Sequence, residues 1–195
     1  EINHKFGDSR RTQITVDVSK MDIEDLIAVE DVVVTVTHYG YIKRLPLNTY
    51  KSQNRGGKGV HGMATKERDF VEHLFTTTTH HYILFFTSQG KVYRLKAHEI
   101  PEASRTGKGT AVINLLNLSQ HEMITAVMAI KEYSPDFFLI TATKNGIMKK
   151  TALQEYDSSR RDGLIALTLD EEDELIGVKL TQGLDDILLA TKNGI

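Results

Sequence analysis

Four stretches of the chain share one pattern of apolar and polar positions. Val32-Val-Val-Thr-Val-Thr-His-Tyr-Gly40, Tyr82-Ile-Leu-Phe-Phe-Thr-Ser-Gln-Gly90, Phe138-Leu-Ile-Thr-Ala-Thr-Lys-Asn-Gly146 and Asp186-Ile-Leu-Leu-Ala-Thr-Lys-Asn-Gly194 are each an apolar, β-branched run closing on Thr-x-x-Gly. The runs have strand length, and the Tyr-Gly, Gln-Gly and Asn-Gly pairs predict hairpin turns that need positive φ. After the first three turn glycines an apolar residue stands second (Ile42, Val92, Met148) and a cation fourth (Arg44, Arg94, Lys150). Alternation along a strand puts each such pair on one face and Lys43 and Lys149 on the other, with Tyr93 at that position in the second unit. Helical periodicity is almost absent past residue 26, and only the opening, stopped by Phe6-Gly7-Asp8, reads as the end of a helix.

The turn glycines recur at intervals of 50, 56 and 48 residues. Units of this length predict an all-β, propeller-like array of four-stranded blades. Fifteen residues after each of the first three glycines stands an arginine (Arg55, Arg105, Arg161), and seventeen after stands a glycine (Gly57, Gly107, Gly163). The hexapeptide Ala142–Ile147 recurs as Ala190–Ile195, one residue into the second strand of a hairpin. The expected organisation is a segment 1–22, then blades over about 23–66, 67–119 and 120–173, with the start of a fourth at 174–195. A half-built fourth hairpin is expected to leave an open edge from Leu175 onward.

Composition narrows the function. The 195 residues contain no cysteine, which excludes a disulfide scaffold and cysteine-ligated zinc. The opening residues lack the apolar core of a signal peptide and no run is long enough to span a bilayer, so a soluble, cytoplasmic protein is expected. The net charge of −2 conceals a segregation. Residues 1–37 carry 4 Lys/Arg against 8 Asp/Glu, residues 38–110 carry 12 against 5, and residues 111–195 carry 8 against 13. A basic middle of this kind suits a local anionic partner.

Ser52–Gly62 ends in Gly57-x-Gly59-x-x-Gly62, the spacing of a dinucleotide fingerprint. That site needs a strand before it and a helix after it, whereas Asn48–Asn54 is a polar loop and Gly62–Arg68 leads to another strand. A P-loop fails too, because Gly59 follows Lys58 where Ser or Thr is required. A flexible connector would explain the glycines; a phosphate-gripping loop would also explain the interleaved Arg55 and Lys58. Other features point to ordinary surface: His80-His81 has no third ligand at metal spacing, and Asp170–Glu174 reads as a solvated acidic turn facing away from an anionic partner. Lys20, Lys131 and Lys179 read as solvated lysines, and no nucleophile–base or paired-carboxylate spacing is present, so no catalytic residue is assigned.

At six of its seven positions, Gln53-Asn54-Arg55-Gly56-Gly57-Lys58-Gly59 resembles the GyrA box, which belongs to the C-terminal DNA-wrapping domain of the DNA gyrase A subunit. Asn54 stands where that family usually has a second basic residue. Phe6–Thr12 is similar to the exit from the family's breakage-reunion core, and Glu24–Ile27 with Val32–Thr35 to its first blade. The resemblance implies a β-pinwheel, a ring whose blades exchange strands and present a basic rim. It implies that Arg55 and Lys58 contact phosphates, that Gly56, Gly57 and Gly59 permit a tight turn, and that Gln53 anchors the loop. The rim cations would be Lys43, Arg44, Arg94, Arg105, Lys108, Lys149, Lys150 and Arg161. The implied partners are duplex DNA, the gyrase B subunit and a second A subunit in an A2B2 assembly; ATP and Mg would be bound by the core and by the B partner, with no cofactor here. Two competing expectations are the A-type subunit of topoisomerase IV, whose box is degenerate, and a propeller that serves only as a protein-interaction platform.

Overall fold

The computed structural model describes residues 5–7, 23–50, 63, 68–157 and 163–191. Apart from a helical pair at Lys5–Phe6, their regular structure is strands and short 3₁₀ turns. In chain order the strands are β1 (Asp31–Thr37), β2 (Tyr41–Pro46), β3 (Val71–Thr78), β4 (Tyr82–Thr87), β5 (Lys91–Lys96), β6 (Thr110–Ala111), β7 (Ile124–Ile130), β8 (Phe138–Thr143), β9 (Met148–Ala152), β10 (Leu164–Ile165) and β11 (Leu175–Thr181). The three repeated runs are β1, β4 and β8, and each forms an antiparallel hairpin with the strand after its turn glycine.

Each turn follows from its Thr-x-x-Gly. The amides of Gly40, Gly90 and Gly146 donate to the carbonyls of Thr37, Thr87 and Thr143 at 2.9, 2.9 and 3.0 Å, with glycine φ of 76°, 73° and 89°. The threonine hydroxyls of the first and third turns accept the amides of Tyr41 and Ile147, both at 3.1 Å. Tyr39, Gln89 and Asn145 keep negative φ, so the left-handed residue is the glycine alone, as in a type I turn with a glycine bulge.

The sheets are interleaved along the chain. Their strand orders are β3-β1-β2-β6, β10-β5-β4-β7 and β11-β8-β9. β6 follows the second hairpin yet pairs with β2 of the first, and β10 follows the third yet pairs with β5 of the second. Each sheet therefore draws on two of the expected spans: β3 and β6 of the first sheet come from 67–119, and β7 and β10 of the second from 120–173. The sequence repeat is phased on the hairpin, whereas the hairpin's free edges are filled by downstream strands. Leu175–Thr181 is not left without a partner: β11 bonds along β8 from Phe138 to Thr143 and forms the outer strand of its sheet. The fourth apolar run carries no strand through Thr191.

Two cores separate the three sheets. Val32, Val34, Val36, Ile42, Ile83, Phe85 and Tyr93 pack between the first and second sheets; Leu84, Phe86, Val92, Leu139, Leu153 and Tyr156 pack between the second and third. β4 thus divides alternate side chains between two cores, which explains its unbroken apolar run. Its Ile83, Leu84, Phe85 and Phe86 are at most 1% exposed, each contributing about 1.5–3 kcal/mol of transfer free energy.

A buried carboxylate braces each turn, a feature absent from the sequence reading. Asp69 Oδ1 accepts the amides of Tyr39 and Phe70 at 3.0 Å each, and Asp173 Oδ1 those of Asn145 and Glu174 at 3.0 and 2.9 Å. Glu122 Oε1 accepts the Thr87 hydroxyl at 2.7 Å. The residues just before them, Arg68, His121 and Glu172, have φ of 68°, 64° and 63°. The acidic run 170–174 is therefore not wholly solvated: Asp173 is 8% exposed, because its carboxylate serves the neighbouring turn.

Candidate nucleic-acid interface

The cations following the turns meet different fates. Arg44, Arg94 and Lys150 occupy one register, opposite Val34, Leu84 and Ile140; Lys43, Tyr93 and Lys149 occupy the next, opposite Thr35, Phe85 and Thr141. Lys43, expected on the rim, is instead fully buried. Its ammonium donates to the carbonyls of Ser104 (3.2 Å), Arg105 (2.6 Å) and Gly107 (3.0 Å), since the loop after the second hairpin folds over it. Burial pushes its pKa down.

Arg44 and Arg94 are half-hidden and partnered. Arg44 Nε donates to the Ile100 carbonyl at 2.7 Å and the guanidinium lies 3.7 Å from Glu102. Arg94 donates to Asp157 at 2.8 Å and sits 4.8 and 5.8 Å from the ring centroids of Tyr82 and Tyr133. Burial opposes its charge, but Tyr133, Tyr82 and Asp157 together hold its pKa above the usual arginine value. The neighbouring Lys96, absent from the sequence-derived set, lies 3.8 Å above the Tyr82 ring and donates to Glu24 at 2.8 Å. The alternation Lys91-x-Tyr93-Arg94-x-Lys96 carried the signal for it, but the repeat register ended at the fourth position.

The exposed cations lie elsewhere. Arg105, Lys108, Lys149 and Lys150 are exposed. Lys150 Nζ makes a 3.3 Å bond to the Gly183 carbonyl and lies 4.4 Å from the Phe138 ring centroid. Arg105, Lys108 and Lys149 form no ion pair among the described residues, leaving their charge available to a phosphate. Gln53, Asn54, Arg55, Gly56, Gly57, Lys58, Gly59 and Arg161 lie outside the described residues.

Packing also corrects the spacing of the loops. A Cβ on Gly109 would stand 2.2 Å from the Ile42 carbonyl oxygen and 2.9 Å from Lys43 Cβ; one on Gly163 would stand 2.9 Å from the Tyr93 ring. Lys43 and Tyr93 occupy equivalent hairpin positions, and both glycines have positive φ, so Gly163 is the counterpart of Gly109. The shared seventeen-residue spacing of Gly107 and Gly163 is thus off by two positions: the third loop is two residues shorter. By position Arg161 then aligns with Gly107, while Arg105-Thr106-Gly107-Lys108-Gly109 repeats the Arg-x-Gly-Lys-Gly of residues 55–59. No cluster of metal-ligating side chains occurs among the described residues, nor does any helix there have the length and apolarity to cross a membrane.

Strand-exchanged hairpins at intervals of 50 and 56 residues define an all-β protein of the propeller-like, β-pinwheel class. Residues 31–78, 81–131 and 138–182 match the family described as DNA gyrase C-terminal domain, beta-propeller, and the chain belongs to that family. DNA gyrase A subunits of several bacteria are similar along its whole length: 52% identical in Clostridium acetobutylicum, covering 100% of this chain and 24% of that protein, and 51% in Halalkalibacterium halodurans, covering 100% and 23%. The counterpart of Staphylococcus aureus is 48% identical over 99% of this chain and 22% of its own length. The chain thus spans about a quarter of these relatives. Among solved structures, the C-terminal domain of DNA topoisomerase IV superposes with a TM-score of 0.69 at 30% identity, covering 80% of this chain and 47% of that one. The DNA gyrase A C-terminal domain superposes with a TM-score of 0.61 at 27% identity, covering 78% and 48%.

Proposed function

We propose that this chain binds duplex DNA through its phosphates, bends it, and wraps it with a fixed hand as part of a DNA gyrase A subunit. The observation that carries this reading is the placement of Arg105, Lys108 and Lys149, exposed and without ion pairs among the described residues, on a loop and a strand of a gyrase C-terminal fold. Cations on successive blades neutralise phosphates along a curved path without reading bases. Bending a short site costs on the order of 1–6 kcal/mol, which several phosphate contacts together offset. Arg55, Lys58 and Arg161 belong to the proposed set by sequence, with Gln53, Asn54, Gly56, Gly57 and Gly59 shaping the first loop. Lys43, Arg44 and Arg94 act behind the surface, because their charges already serve carbonyls, carboxylates and rings.

The proposed setting is a cytoplasmic, nucleoid-associated A2B2 assembly. The gyrase B subunit with ATP and Mg, and the breakage-reunion core that precedes this domain, would supply the chemistry of strand passage. This chain supplies the geometry that makes supercoiling negative. The topoisomerase IV reading is favoured by the overlap with that enzyme's C-terminal domain; the six matched box positions and the 48–52% identity to gyrase subunits favour gyrase. Fluorescence anisotropy with duplexes of unrelated sequence tests DNA binding. Affinities should be equal across sequences and fall steeply with salt, and Lys149→Ala with Lys150→Ala should flatten the slope by about 0.9 per lost phosphate contact. Absence of binding, or binding indifferent to salt, overturns the proposal.

A further inference from the structure

We propose that Lys43 is the positioning residue for Arg105 and Lys108: its buried ammonium holds the Ser104–Gly109 loop in the shape that presents these two cations to the backbone of the duplex. The role deepens the DNA-binding reading and rests on it for the identity of the ligand. The loop is a reversal laid on the edge of β2. Before it the chain runs parallel to β2, with the Arg44 amide donating to the Pro101 carbonyl at 3.2 Å and the Ala103 amide to the Arg44 carbonyl at 3.4 Å. After it, Thr110 and Ala111 pair antiparallel with Ile42 and Tyr41. Six residues, Ser104–Gly109, therefore turn the chain round opposite Lys43 alone. Such a reversal has no facing strand to order its inner carbonyls, and the Lys43 ammonium takes that part. It meets those of Ser104, Arg105 and Gly107 at 3.2, 2.6 and 3.0 Å.

Lys43 is fully buried, and an ammonium is kept out of water only where several acceptors replace its hydration. Its stem is covered by Gly109, where a Cβ would stand 2.9 Å from Lys43 Cβ and 2.2 Å from the Ile42 carbonyl oxygen. The Gly107 amide closes the turn on the Ser104 carbonyl at 3.0 Å. With the inner face of the loop committed to Lys43, Arg105 and Lys108 lie exposed on its outside, free of ion pairs among the described residues. A loop ordered before it meets DNA spares the complex the entropy of ordering it. The device belongs to this loop: at the Lys43 position the second hairpin has Tyr93, whose hydroxyl lies 3.2 Å from Glu122, and the third has exposed Lys149. Lys43 thus acts on the duplex through Arg105 and Lys108 and does not touch it.

Duplex binding and loop order, measured on the same variants, decide this. Arg105→Ala with Lys108→Ala should lower duplex affinity and flatten its salt slope by about 0.9 per lost phosphate contact; unchanged affinity and slope overturn the proposal. Lys43→Met keeps the reach of the side chain and removes its charge, and it should weaken binding roughly tenfold. Adding the two alanines to Lys43→Met should then cost much less than they cost alone. Additive losses would mean that Lys43 acts only through its charge or through general stability, and they overturn the proposal. Nitrogen relaxation of the free chain supplies the readout that a merely structural lysine would not move. In Lys43→Met the amides from Arg105 to Lys108 should gain fast internal motion while those of β1 and β2 keep their exchange protection; a loop that stays ordered overturns the proposal. If Lys43→Met fails to fold, the wild-type chain decides: its Lys43 ammonium should exchange slowly with water and its loop amides should be as ordered as those of β2, and either a fast-exchanging ammonium or a mobile loop overturns the proposal. A wild-type chain that ignores duplex DNA sinks the DNA-binding reading instead, and the relaxation data still read the hold of Lys43 on the loop.

Discussion

Single side chains set how firmly each blade holds its turn, and Glu122 is the most completely enclosed case. Burial alone would raise its pKa; donors from Thr87, Ser119 and Tyr93, with the Lys91 ammonium 3.6 Å away, outweigh burial and lower it. Asp173 is lowered in the same way: burial raises it, but Thr143 and the amides of Asn145 and Glu174 outweigh this. A carboxyl whose folded pKa lies below its unfolded value adds stability that is complete above the unfolded value and lost as pH falls through the folded one. Stability should therefore be flat near neutrality and decline below about pH 5, the upper edge of ordinary carboxylate titration. Glu122→Gln should cost about 1–3 kcal/mol at pH 7, by leaving buried donors poorly matched, and should remove part of the acid decline. Circular-dichroism melts at pH 7, 5, 4 and 3 measure both effects; an unchanged pH profile in Glu122→Gln would assign the decline to other groups. Aligned on the turn glycine, the three carboxylates fall 29, 32 and 27 residues later and look unrelated. Counted from the strand that follows, each stands two residues before β3, β7 or β11. Their regularity was present in the sequence but was phased on an element that only the fold identifies.

Hairpins are the elements a sequence displays best, because strand, turn and strand are contiguous and Thr-x-x-Gly punctuates them. The exchanged strands β6 and β10 were not legible: each is two residues long, and its partner is a hairpin from the preceding unit. The same distance in sequence misplaced Gly163, whose true counterpart is defined by what it packs on. Exchange also makes equivalent glycines unequal. The carbonyl of Gly90 accepts the amides of Ala166 and Leu167 just after β10, and a Cβ at Gly90 would stand 2.4 Å from the Leu167 carbonyl oxygen. At Gly146 a Cβ would meet nothing within 4 Å, although φ is again positive. Gly146→Ala should cost about 1–2 kcal/mol from left-handed backbone alone. Gly90→Ala should cost about 3 kcal/mol or more, because the exchanged segment must also move. Urea unfolding midpoints of the two variants test this, and equal losses would mean that the returning strand does not press on the turn.

Across the whole molecule, net charge says little and the location of unpartnered charge says much. A basic middle was visible in the sequence, yet burial takes Lys43 off the surface and pairing occupies the half-hidden Arg44 and Arg94, while Arg105, Lys108 and Lys149 stay exposed. In the proposed function, binding has many small contributors, whereas a fixed hand of wrapping would need the duplex fastened where its path closes. Arg55-Gly56-Gly57-Lys58-Gly59, with the pattern repeated at 105–109 and set in a box-like heptapeptide, is the segment proposed for that fastening. In a complete gyrase whose A subunits carry this chain, Arg55→Ala with Lys58→Ala should leave most of the DNA affinity, which the other cations supply. Relaxation should survive, because it depends on the core. Negative supercoiling should be lost, because a duplex without a wrap of fixed hand delivers the passing segment without bias. Gel electrophoresis of relaxed plasmid incubated with ATP, beside a relaxation assay on supercoiled plasmid, separates the two activities. A double variant that supercoils at near-normal rate would make the loop a connector and transfer the fastening role to the cations at 105–109 and 149–150.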